Sequence, residues 1–202
     1  MGQYPIFTSR TVAMFKTRVN HSTINPTLFL KGMAKSDSFF IRAGLDVAAN
    51  SSEQIAIDLG AYVDALGKSV LRIHNIECQV APTTGVGVDY NIAANTNTHF
   101  AWQLTTQSQT GLVYLDDKSV IASGRLEVIN DTPTANLVSS IERSLDVGPQ
   151  HFTNGYLVGV EQIYLRGDCD QQMDDSRISI IMECTVETLS QSGAMALALS
   201  QQ

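Results

Sequence analysis

The residues of this chain whose chemistry could build a site are four histidines, three cysteines and one crowd of aspartates. A metal-holding cluster needs imidazoles and carboxylates that converge, and a local motif announces itself by tight spacing. His21, His74, His99 and His151 never fall within a few residues of one another, and the closest acid partner is His74-x-x-Glu77. Asp168, Asp170, Asp174 and Asp175 crowd into GDCDQQMDDS. Hard cations want several carboxylate oxygens, but the EF-hand spacing and its glycine at the sixth position are missing, so a solvated loop is the reading and calcium the alternative. No G-x-S-x-G elbow offers an activated serine. GVGVD at 85–89 has glycines but no following Gly-Lys-Ser/Thr, so it reads as a flexible loop rather than a phosphate cradle. Arg166-Gly167-Asp168 spells an integrin-type tripeptide, which is too short to carry weight. Cys78, Cys169 and Cys184 are odd in number and form no C-x-x-C pair. Cys78 and Cys184 fall on the apolar parity of their strands, and Cys169 falls in a polar run. The expectation is a protein without catalytic residues, cofactor or metal.

Charge offers a different kind of function. Residues 1–36 hold Arg10, Lys16, Arg18, Lys31 and Lys35 and no acid, which gives +5, while the remainder holds eight bases against twenty acids, −12. A basic arm on an acidic body points to a polyanionic or membrane-surface partner for the arm, the alternative being charges that solvate a loose terminus. Within it, TVAMFKTRV (11–19) sets Lys16 and Arg18 beside Met14 and Phe15. That pairing suits an arm strapped across a neighbouring subunit, and equally an interfacial anchor or a nucleic-acid contact. The five arm cations are therefore the candidate interaction residues. The whole-chain charge of −7 excludes a protein whose entire surface binds nucleic acid.

The elements that must present these groups read as strands. Gln54 to Leu59 alternates, with Ile55, Ile57 and Leu59 inward. In SVLRIHNIECQV (69–80), Leu71 and Ile73 share one parity and Ile76, Cys78 and Val80 the other. Keeping all five inward requires one extra residue near His74-Asn75, a β-bulge. LVGVEQIYL (157–165) shows the same slip at Glu161-Gln162. Pro82 to Thr98 reads as a long exposed loop. Phe100, Trp102 and Leu104 share a face, which predicts a core tryptophan. Leu112–Leu115, Ser119–Ala122 and Arg125–Ile129 follow as short strands, with hairpins at Asp116-Asp117 and Ser123-Gly124. Leu137, Val138, Ile141 and Leu145 make a helical stripe. RISIIMECTVE (177–187) alternates most cleanly, and the Ala- and Leu-rich tail is a short helix or an apolar end held by a neighbour. The fold expected is all-β, a single jelly-roll β-sandwich of about eight antiparallel strands, with an extended N-terminal arm and one short helical insertion. Its parts would be an arm and docking segment (1–50), a body (51–188) and a short apolar tail (189–202). No apolar run nears the ~18 residues that span a bilayer, and the N-terminus lacks signal-peptide or myristoylation features.

This layout of acid-free arm, lead strand (QIAIDLGAYVDALGKS), SVLRIHNIECQV and closing RISIIMECTVE resembles the jelly-roll major capsid proteins of tailless icosahedral viruses of bacteria and archaea. The resemblance covers most of the chain as layout, and its length suits one jelly roll per subunit. It implies a structural protein of the virion, made in the host cytoplasm, that assembles with copies of itself and with other capsid proteins. Its arm would lie inside the particle, near nucleic acid or an internal membrane, or thread into a neighbour. A carbohydrate-binding β-sandwich module is the rival from another class, and a metal-dependent enzyme of the cupin type stands third.

Overall fold

The computed structural model describes residues 35–64, 68–85 and 92–202. Nine strands carry the chain: β1 Phe39–Val47, β2 Ser51–Asp58, β3 Ser69–Pro82, β4 Thr96–Thr105, β5 Val120–Asn130, β6 Ser140–Val147, β7 Tyr156–Val158, β8 Gln162–Cys169 and β9 Ser176–Thr188. A 3-10 turn at Pro149–His151 precedes β7, and helix α1 (Gln191–Ser200) closes the chain. One sheet has the order β1-β9-β3-β7 and the other β2-β8-β4-β5-β6.

The pairing identifies the architecture. β4 pairs with β5, β3 with β7, β2 with β8 and β1 with β9, all antiparallel. That is one long hairpin folded about its middle. It is then rolled so that β9 also meets β3 and β8 also meets β4. A rolled eight-strand hairpin in two facing sheets is a jelly roll, the architecture of viral capsid and lectin domains and of cupins. β6 is an additional strand on the β5 edge.

Alternation puts the core between the sheets. Leu71, Ile73, Ile76, Ile178, Ile180, Met182 and Cys184 face Phe100, Trp102, Leu104, Leu126, Val128, Ile163 and Leu165, all buried. Trp102 sits where its phase with Phe100 and Leu104 predicts. The bulge in β3 is also as read: Ile73 pairs with Cys184 and Asn75 with Glu183, so His74 is the extra residue. Ile76 and Val80 thereby stay inward. Gly155 locks the adjoining turn, because its φ is +63° and a Cβ there would stand 2.2 Å from the Ile73 carbonyl oxygen. Only glycine fits both demands.

Several elements differ from the sequence expectation. The slip in 157–165 is no bulge: the chain leaves the first sheet after Val158 and enters the second at Gln162, so the parity resets because the partner sheet changes. Residues 140–147 are strand β6 and not the helical insertion, since the Ile141, Leu145 and Val147 spacing also satisfies a period of two and β5 offers a free ladder. The helix of the described body is α1, with the Ser190 hydroxyl accepting from the Gly193 amide at 3.1 Å. Ser123-Gly124 makes no hairpin; β5 runs through it with a register shift against β6. Residues 112–115 are not a strand. Of the expected loop 82–98, Pro82 belongs to β3 and Thr96–Thr98 to β4, and Ile92 between them is fully buried. β1 pairs along its whole length with β9, so residues 39–47 form part of the sandwich.

Candidate assembly surfaces

Of the five arm cations, Lys35 lies among the described residues, and Arg10, Lys16, Arg18 and Lys31 lie outside them. Lys35 extends the sheet by one bridge, opposite Glu187, and its Nζ is 4.0 Å from the Glu187 carboxylate. The stronger partner of Glu187 is Arg72, which donates Nε to Oε1 at 2.7 Å and Nη2 to Oε2 at 2.8 Å. This two-pronged pair is nearly dry, with side-chain exposures of 15% and 7%. Hydrogen bonding from Arg72 holds the Glu187 carboxyl below its usual range, and Glu187 raises the guanidinium in turn. His74, displaced sideways by the bulge, sets Nε2 2.9 Å from the Thr185 hydroxyl. Burial first, and then the Lys35 charge, lower its pKa. Lys35, Arg72 and His74 thus gather around Glu187 in one charge cluster beside β9.

The outer face of β1 and β9 exposes Phe40 and Ile181, with the Arg42 guanidinium 5.8 Å from the Phe40 ring centroid. Across the molecule, residues 106–119 form a strap over the outer face of the second sheet. Gln103 grips the strap by both amide atoms, donating to the Val113 carbonyl at 2.7 Å and accepting from its amide at 3.0 Å. Gln54 likewise holds Ser108 and Gln109, and Arg166 bonds the Ser52 hydroxyl and the Gln109 carbonyl. Beneath the strap runs a groove of about 580 Å³, bordered by Asn97, His99, Tyr114, Arg125, Glu127 and Asp146. Leu112, Leu115 and the largely bare Tyr114 project from the strap. A third exposed apolar set, Leu137, Val138 and Ile141, leads into and begins β6.

The other candidates separate in space. Among the described residues, no three His, Cys, Asp or Glu side chains converge as metal ligands. Asp168 lies in β8, so the acidic loop is shorter than 167–176. Asp170 accepts from the Gln172 amide and lies 3.6 Å from His99. Asp175 accepts from the Ala49 amide. These two carboxylates are spent on turns. Cys184 is buried as its parity predicts, and burial pushes its thiol up to about 12. The other two cysteines reverse expectation: Cys169 is buried and pushed up to about 11, whereas Cys78 is exposed.

Two glutamines escaped the sequence reading because nothing in their spacing marks them. Gln201, just past α1, accepts from the Gly159 amide at 2.8 Å and donates to the Leu157 carbonyl at 2.6 Å, which pins the chain end to the β7–β8 crossing. Gln150 does the same for β3, accepting from the Ile76 amide at 3.3 Å and donating to its carbonyl at 3.1 Å.

No protein-family model and no curated protein matches the chain. Among solved structures, a chain of Desmodium yellow mottle tymovirus aligns with 89% of this chain and 96% of its own, at 10% identity and a TM-score of 0.34. A chain from the single-particle structure of Maize chlorotic mottle virus aligns with 76% and 94%, at 10% identity and a TM-score of 0.29. Likeness at this level carries no argument of its own, and the jelly-roll assignment stands on the strand pairing. Neither is a virus of bacteria or archaea, the hosts of the sequence resemblance.

Proposed function

We propose that this chain is a non-enzymatic, shell-forming structural protein of a virion. Copies would pack side by side into a capsid, with the basic arm reaching neighbouring subunits, nucleic acid or an internal membrane. The observation that carries the reading is the placement of exposed apolar side chains on three sides of one jelly roll: Phe40 and Ile181, Leu112 with Tyr114 and Leu115, and Leu137 with Val138 and Ile141. A subunit in a closed lattice meets several neighbours at once, each through a modest contact. The +5 arm beside a −12 body supplies long-range attraction between copies. Synthesis in the host cytoplasm and a bacterial or archaeal host belong to the same proposal.

The groove beneath the strap favours a second reading, a carbohydrate-binding module, because Tyr114 offers a bare ring beside polar Asn97, Arg125 and Glu127. Light scattering with negative-stain imaging, in low salt and in about 1 M salt, separates the two, since salt at that strength screens charge beyond roughly 3 Å. Shells or regular oligomers that loosen in salt are expected. A monomer in every condition, with glycan binding lost in Tyr114→Ala, would replace the capsid reading by the module.

A further inference from the structure

β3 is closed on both sides for only part of its length. β9 accompanies it from Ser69 to Pro82, whereas β7 covers Leu71 to Ile73 and stops. Gln150 then serves Ile76, and its two bonds show that the Ile76 amide and carbonyl point away from β9. No further register shift intervenes, so Cys78 and Val80 point their amides and carbonyls the same way. Among the described residues nothing pairs with these four groups, and Glu77, Cys78 and Gln79 are exposed. The lower sheet continues under the gap, because Arg143 and Ser144 of β6 border the same small cavity as Cys78 and Val80. The open edge therefore has β6 of the second sheet facing it. Open edges of this kind recruit an extended segment by main-chain hydrogen bonding.

We propose that this opening receives residues 11–19 of a second copy, TVAMFKTRV, added as a strand beside Cys78–Val80. The inference rests on the capsid reading and names the place where the arm of a neighbour is held. Three features choose this occupant. The facing strand already belongs to the body, so a second sandwich brought edge to edge would collide with β6, while a single strand fits. Added as a strand, the segment would set Ala13, Phe15, Thr17 and Val19 on one face, toward the exposed Cys78 thiol. Its other face then carries Lys16 and Arg18 to a body of charge −12, near Glu77. Residues 20–34, which would link the docked segment to Lys35, span roughly 50 Å when extended, enough to reach an adjoining subunit.

Cys78 makes the test direct, since Cys169 and Cys184 are buried. Full-length wild-type chain is mixed with full-length Phe15→Cys/Cys78→Ser chain, oxidised, and digested for mass spectrometry, with Ala13→Cys and Thr17→Cys as register controls. The two opposed residues of paired strands stand within disulfide reach. A disulfide joining the Phe15→Cys peptide of one chain to Cys78 of the other is expected, with the Cys78 and Val80 amides exchanging at least tenfold slower in assembled than in dissociated protein. Linkage that forms only inside one chain, in the Phe15→Cys single variant, overturns the second-copy assignment. Particles on the imaging grid with no Cys78 linkage from any of the three positions overturn the docking site and leave the capsid reading standing. Cross-linked pairs without particles keep the docking site and remove the capsid reading.

Discussion

The two halves of β3 are built to opposite specifications. Leu71 to Ile73 lies between β9 and β7, buries Leu71 and Ile73 completely, and carries the Arg72–Glu187 pair. Asn75 to Pro82 keeps β9 on one side only, with Gln150 as a stand-in at Ile76 and an exposed Cys78 beyond. His74, the bulged residue, divides them. The difference teaches that one strand can anchor a fold at one end and keep backbone capacity in reserve at the other, and that a bulge is the joint between the two uses.

The comparison can be broken by energetics. Leu71→Ala, in the closed half, is expected to cost about 3–4 kcal/mol, because the cavity is walled by both sheets. Cys78→Ala, in the open half, should stay within about 0.5 kcal/mol. Urea titrations of the unassembled chain measure both, and equal losses would mean the halves are alike. Arg72→Ala should cost about 3 kcal/mol, since it strands the Glu187 carboxylate in a nearly dry site.

Gln150→Ala removes two amide bonds from an edge that solvent can reach, so about 1 kcal/mol is expected. The sharper readout is hydrogen exchange: the Ile76 amide should accelerate to the rate of Cys78 and Val80 while amides in the closed half stay slow. A uniform acceleration would show that the edge is not a separate unit.

Acid should act on the charge cluster in two steps of the same sign. His74 and Glu187 both have folded pKa values below their unfolded ones, so both contributions are full at high pH and fade on acidification. The His74 step begins as pH falls below 6.5 and the Glu187 step below 4.5. His74→Gln should remove the first step and leave the second, as read by melting temperature against pH. Lys35→Ala is expected to cost little, below about 1 kcal/mol, because half of that side chain is in water and the contact is 4.0 Å.

Much of the fold was legible because alternation leaves a direct trace in sequence. RISIIMECTVE could be read face by face, and the β3 bulge followed from a parity change with no other cause available. The same logic failed at 157–165, where an equal parity change marks the passage from one sheet to the other. Periodicity cannot tell an inserted residue from a change of partner. Leu137, Val138, Ile141 and Leu145 satisfied a period of 3.6 while Ile141, Leu145 and Val147 satisfied a period of two, and the free edge of β5 chose between them.

The sequence by itself determined the strand-rich class, the inward faces of the long strands, the core tryptophan and the charge contrast between arm and body. These depend on which side chains can leave water and on where charges sit along the chain. The tertiary structure alone decided that β7 ends after three residues, that Gln150 and Gln201 bond the backbone of distant segments, and that Cys78 is exposed while Cys169 is buried. Each of these depends on which strand lies alongside which, and main-chain hydrogen bonding is blind to side-chain identity.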